Sequence, residues 1–144
     1  MEKQAFEYDS DYVEAHLYEA GKSIIRLSVK GIYPSQFASV LGQMYTADEH
    51  PTAHERMPQN EPDNIKHMEL VERWVRTIDN VMIRRTIYLR MLVSPLNERH
   101  RYSWRKIGVM LKCSHTQAKT NFELGLSKLS GMLNSGVIPS ARDI

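Results

Sequence analysis

The stretch Ser103–Leu129, SWRKIGVMLKCSHTQAKTNFELGLSKL, decides how the rest of the chain is read. A helix over Trp104–Leu111 places Ile107 and Leu111, four apart, on one face. Gly108 stands between them, where two helices crossing closely leave no room for a side chain. Lys112-Cys113 makes a short turn, with Cys113 small and apolar enough to tuck inward. Ser114 is a good N-cap for a second helix starting at His115, and Gln117 three residues on completes the Ser-x-x-Gln of a capping box. Ala118, Phe122, Gly125, Leu126 and Leu129 then keep a 3/4 apolar spacing. Ser114, His115, Thr116, Lys119 and Thr120 are left facing out. This is the pattern of a helix-turn-helix, and the outward set occupies the positions that a recognition helix offers to the major groove. Many such motifs carry Gly where this chain has Lys112, and a non-Gly residue at positive φ costs energy.

Charge supports the same reading. The formal net charge of +2 over 144 residues conceals an asymmetry. Residues 1–62 hold five Lys/Arg against ten Asp/Glu, whereas residues 63–144 hold fourteen against seven. Between Arg84 and Lys119 there are nine basic residues and one acid, Glu98. A basic block that contains the motif is the electrostatic footprint of a nucleic-acid binder. An apolar share of 42% is enough for a core, and no run of eighteen apolar residues spans a membrane. The acidic start MEKQAFEYDSDY does not read as a signal peptide. The single Cys113 excludes an internal disulfide and a cysteine-based metal site, which fits a reducing cytoplasm.

Outward from the motif the chain reads as all-α, with no internal repeat and no period-two alternation. An acidic N-terminal helical segment covers 1–45. In it, Ser10 or Asp11 caps a helix to about Val29 whose stripe is Tyr12, Ala15, Leu17, Ala20, Ile24, Leu27 and Ser28. Gly31 ends it, and a short helix follows over Ser35–Tyr45. Residues 46–62 are a polar linker with three prolines. His50, His54, Glu49 and Glu55 in it invite a metal reading, but Pro51 interrupts the spacing and no second ligand cluster accompanies them, so no metal or other cofactor is expected. Residues 63–135 form the helix-turn-helix domain. Asp63 or Asn64 caps a helix over Ile65–Ile78, with Ile65, Met68, Val71, Trp74, Val75 and Ile78 apolar. Asp79 caps the next, to Leu92, with Val81, Met82, Ile87, Leu89 and Leu92 giving a partly apolar pattern and Arg84, Arg85 and Arg90 along it. Glu98–Tyr102 is a basic loop leading into the motif, and 136–144 is a tail stopped by Pro139.

Two resemblances follow from these residues. Tyr88-Leu89-Arg90, Ser103-Trp104, Ile107-Gly108, Leu111, Ser114 and Ala118-Lys119-Thr120 are similar to region 4 of bacterial sigma factors, over roughly Asp79–Leu133. Ile65, Met68-Glu69, Trp74-Val75, Leu89-Arg90, Trp104-Arg105-Lys106-Ile107 and Phe122–Leu126 resemble an uncharacterised helix-turn-helix family of phages and prophages of alphaproteobacteria, over nearly the whole chain. The chain departs from that family in having Phe122 where Trp is frequent and Lys112 where Gly is frequent. The resemblance implies a phage or prophage DNA-binding protein in the host cytoplasm. It supplies neither target nor biological role.

The expected function is therefore sequence-specific binding of double-stranded DNA. Ser114, His115, Thr116, Gln117, Lys119 and Thr120 are the candidate base contacts, and Arg99, Arg101, Arg105, Lys106 and Lys112 the candidate phosphate contacts. His100 lies in the same basic stretch as a further phosphate or base contact, or simply exposed. Transcription regulation is the first expectation. Packaging-site recognition of the terminase small-subunit type is the second; a ring-forming homo-oligomer would favour it, and a monomer or dimer would favour the first. A third reading is a protein-interaction module that touches RNA polymerase or an activator, with the acidic N-terminal half docking on a basic partner or masking the basic face. An enzyme is not expected, since the chain has no Gly-rich phosphate loop, no paired carboxylates and no Cys/His pair at working spacing.

Overall fold

Residues 7–29 and 59–141 are described by the structure, a computed structural model. Among them the regular elements are helices: α1 (Ser10–Val29), α2 (Pro62–Arg76), α3 (Val81–Arg90), α4 (Trp104–Leu111) and α5 (His115–Asn134). The described residues contain no strand; Val93 and His100 form an isolated antiparallel bridge that closes the loop between α3 and α4. The expected Gly31 stop, the helix over 35–45, the linker up to residue 58 and the His50/His54 cluster lie outside the described residues.

The helix starts show which local chemistry wins. For α1 the carboxylate of Asp9, not Ser10 or Asp11, accepts from the Tyr12 N–H at 2.9 Å. For α2 the N-cap is Glu61, not Asp63 or Asn64, because Pro62 suits the first helical position, where no N–H is needed. Asn64 then turns back and accepts from the Glu61 N–H at 2.7 Å. For α3 the cap is Asn80 rather than Asp79; its side chain accepts from the Ile83 N–H at 3.0 Å, and the helix stops at Arg90, two residues short of Leu92.

One core runs through all five helices. α1 contributes Val13, Leu17, Ala20, Ile24 and Ile25, with Ser28 also buried. Leu17, Ala20, Ile24 and Ser28 of the expected stripe are thus buried, but Ala15 is exposed, and Tyr12 and Leu27 are half-buried at its margin. α2 buries Met68, Val71, Trp74 and Val75 as expected, and also Leu70 and Glu72. α3 buries Ile83, Ile87, Tyr88 and Leu89, whereas Val81 and Met82 stand exposed at its first turn. Gly21 of α1 lies against the Met91 carbonyl just beyond α3, so closely that a Cβ would overlap backbone. That contact sets how near α1 comes to the loop carrying the basic residues.

The segment after α5 is not a free tail. Gly136 takes a positive φ of 79°, which turns the chain back. Ile138 and Ser140 are buried, the Pro139 carbonyl accepts from the Trp74 indole N–H at 2.6 Å, and the Ala141 N–H donates to the Tyr12 hydroxyl at 3.2 Å. At the other end, the Tyr8 carbonyl accepts from Ser130 Oγ (2.6 Å) and Asn134 Nδ2 (3.0 Å). The N-terminal end of the described chain therefore braces the C-terminal half of α5, and the segment after α5 ties back to α1 and α2. The N-terminal half of α5 packs on α4 through Ala118 and Phe122.

Candidate nucleic-acid interface

α4 and α5 meet at a corner fixed by three local features. Ser103 caps α4, its hydroxyl accepting from the Lys106 N–H at 3.1 Å, and Ser114 caps α5, accepting from the Gln117 N–H at 3.0 Å. Between them Lys112 is left-handed, at φ 60° and ψ 44°, which lets the Cys113 N–H close on the Gly108 carbonyl at 2.8 Å. At Gly108 a Cβ would stand 2.7 Å from the Cys113 carbonyl oxygen and 3.1 Å from the His115 nitrogen. The tight approach expected of Gly108 is real, and it is made to the backbone of the turn. Cys113 is half-buried and packs against the core, as does the buried pair Ile107 and Leu111.

On α5 the buried side is Ala118, Asn121, Phe122, Gly125, Leu126, Leu129 and Leu133. The five expected apolar positions are all in it. At 100° per residue, Thr116 and Thr120 then point most directly away from the core, Lys119 lies on one flank and Gln117 on the other, and His115, although on the core side of the wheel, is exposed at the helix start. All five are exposed, as is Ser114. The first two turns carry no acid; the first carboxylate is Glu123, on the outward side one turn past Lys119. Ser114 is already engaged as the cap through its hydroxyl. The expected capping box is half-formed: the Gln117 side chain does not return to Ser114, and instead its Nε2 donates to Asn121 Oδ1 at 2.9 Å.

The basic residues divide into two groups. Arg84 donates to the Ile78 carbonyl at 2.6 Å, and Arg90 donates to the Tyr102 carbonyl at 3.1 Å while its guanidinium lies 4.2 Å from the Trp104 ring centre. Trp104 in turn meets Phe122 edge-on at 5.5 Å, so a cation–aromatic stack ties α3, α4 and α5 together. These two arginines hold the frame. Arg99, Arg105, Lys106 and Lys112 are exposed, and Arg101 is half-buried. Arg101 and Lys106 line an open cleft of ≈ 620 Å³ at the N-terminus of α4, together with His100, Tyr102 and Ser103. An anion in that cleft would face cationic side chains and the positive end of a helix.

His100 is half-buried there. Its Nδ1 donates to the Arg90 carbonyl at 2.9 Å and its ring sits edge-on to Tyr18 at 4.8 Å. Burial, and then the Arg90 charge, hold its pKa below the ordinary histidine value. The ring is thus half-buried rather than simply exposed, and it lines the cleft. Conversely, Asn121 and Glu123 were not expected to bear on the face. Asn121 is a polar residue on the buried side of an otherwise apolar pattern, a signal present in the spacing; Glu123 is a charge at the next outward turn.

Among the described residues no group of three or more His, Cys, Asp or Glu side chains is placed to hold a metal ion, and no helix is long and apolar enough to cross a membrane. No family model matches the chain, and neither a curated protein nor a solved structure matches it.

Proposed function

We propose that the chain binds double-stranded DNA in a sequence-specific manner, as a transcription regulator of the phage or prophage type that its sequence resembles. In this reading α4 and α5 are a helix-turn-helix of the kind found in sigma region 4, and the first two turns of α5 enter the major groove. The observation that carries it is the acid-free polar face of His115, Thr116, Gln117, Lys119 and Thr120, held at a capped, tightly crossed corner. Arg99, Arg101, Arg105, Lys106 and Lys112 flank the groove and contact phosphates, which supplies affinity without sequence information. Lys119 is suited to a guanine edge and Gln117 to an adenine edge.

The test is selection of bound duplexes from a random pool at stated salt, followed by titration of the enriched site. If about five phosphates are neutralised, log K against log salt should fall with a slope of about −4 to −5. Lys119→Ala should cost about 1–3 kcal/mol on the selected site and relax the base preference at one position. Arg105→Ala should weaken binding to selected and scrambled DNA alike and make the slope shallower by about 1. A salt slope near zero rules out the proposal, and identical behaviour of the two variants rules out the division of roles.

A further inference from the structure

We infer that Asn121 is a positioning residue that sets Gln117 to read adenine, an inference that rests on the DNA-binding reading above. Gln117 lies on the exposed flank of α5, four residues before Asn121, which is only 6% exposed. The Gln117 Nε2 donates to Asn121 Oδ1 at 2.9 Å. A glutamine side chain at the rim of a groove has three torsions to order and an amide that can present either end. The bond to a buried partner removes much of that freedom before DNA arrives, which lowers the ordering cost of the contact.

The bond also selects what is offered. An unrestrained glutamine amide has two N–H donors and one carbonyl acceptor. With one N–H committed to Asn121, a single N–H and the carbonyl Oε1 remain. Adenine presents an acceptor, N7, beside a donor, N6–H, in the major groove, and matches that pair. Guanine presents two acceptors, N7 and O6, and meets only one donor. Asn121 thus acts through Gln117, from a position on the core side of the helix that never reaches the base.

The experiment has two arms. In the first, the ratio of affinities for the selected duplex and for the same duplex with one A·T pair changed to G·C is measured for the wild type, Asn121→Ala, Gln117→Ala and the double variant. A preference on the order of tenfold is expected in the wild type. It should collapse to the same value in all three variants, so that Asn121→Ala has no further effect once Gln117 is gone. Asn121→Asp, which keeps an acceptor oxygen in place, should restore the preference. In the second arm, the Gln117 side-chain amide resonances of the DNA-free protein should move in Asn121→Ala and stay near their wild-type positions in Asn121→Asp. Salt-dependent DNA binding in which no position responds to Gln117→Ala, or Gln117 resonances indifferent to Asn121→Ala, would overturn this inference and leave DNA binding standing. Absence of salt-dependent DNA binding would overturn both.

Discussion

Along the seam between α1 and α2, two half-buried histidines are matched to each other. His16 Nδ1 and His67 Nε2 share a hydrogen bond of 2.7 Å, with the Tyr12 ring 4.4 Å from His16 on one side and Trp74 edge-on at 6.0 Å on the other. Trp74 is completely buried and its one donor is satisfied by Pro139. At the corner of α4 and α5 the arrangement is opposite. The side chains of the outward face stand in solvent, and the turn that aims them holds a lysine in a conformation that favours glycine. Burying polar groups without partners costs several kcal/mol, so a seam that pairs them gains one specific register. A surface that leaves them open keeps them available to a partner, at the cost of local stability. The first region is built as a frame, and the second as something the frame presents.

The largest effect that separates the two regions should come from Trp74. Replacing it with Ala removes the largest fully buried side chain of the seam and should destabilise by about 3–5 kcal/mol. Trp74→Phe keeps most of the volume, loses the bond to Pro139 and should cost about 1–3 kcal/mol. Urea denaturation measures both. If Trp74→Ala cost no more than Thr116→Ala on the outward face, the division into frame and presented surface would be wrong.

A smaller and pH-dependent loss should come from the histidine pair. Burial holds His16 below the ordinary value against the opposing pull of Glu19, and burial together with the His16 charge holds His67 lower as well. A histidine whose folded pKa lies below its unfolded value of 6.5 binds fewer protons in the native state. Its contribution to stability is therefore fully present above about pH 6.5, and is lost as pH falls from there toward the folded value. The urea midpoint of the wild type should drop between pH 7 and pH 5, and that of His67→Gln should drop less. Parallel pH profiles for the two proteins would show that the pair is not what responds to acid.

The two regions were also unequally legible. The bounds of α4 and α5 agree with the sequence reading because their signals are local: a serine at each start, a 3/4 apolar run, and Gly108 at the closest approach. In α1 the stripe is legible at Leu17, Ala20, Ile24 and Ser28 but not at its margins, where Val13 and Ile25 are buried in place of Tyr12, Ala15 and Leu27. In the sequence Pro139 reads as a stop to any helical continuation of the tail. The helix already ends at Asn134, and Ile138 is apolar enough to turn back onto the core and bring the Pro139 carbonyl to Trp74. His16 and His67 are 51 positions apart, and no local rule joins them. Within the candidate site, the exposed face was legible residue by residue. The engagement of Arg84 and Arg90 in the frame was not, because a cation looks the same in sequence whether it meets a carbonyl or a phosphate.

The smallest predicted effect lies at the turn itself and tests how far that corner departs from the relaxed frame. Lys112 adopts a left-handed conformation that costs a residue with a Cβ about 1–2 kcal/mol. Glycine would remove that cost and add about 0.5–1 kcal/mol of backbone entropy to be lost on folding. Lys112→Gly should therefore stabilise the protein by about 0.5–1 kcal/mol. Lys112→Ala, which keeps the strain, should leave stability nearly unchanged, because the side chain is exposed. Both variants lose one cation beside the proposed groove, so both should make the salt slope of DNA binding shallower by about 1. Stability and binding then move independently: glycine raises the first and lowers the second, alanine lowers the second alone. If Lys112→Gly proved no more stable than Lys112→Ala, the turn would be at ease with its lysine, and the strain at this corner would have to be withdrawn from the comparison.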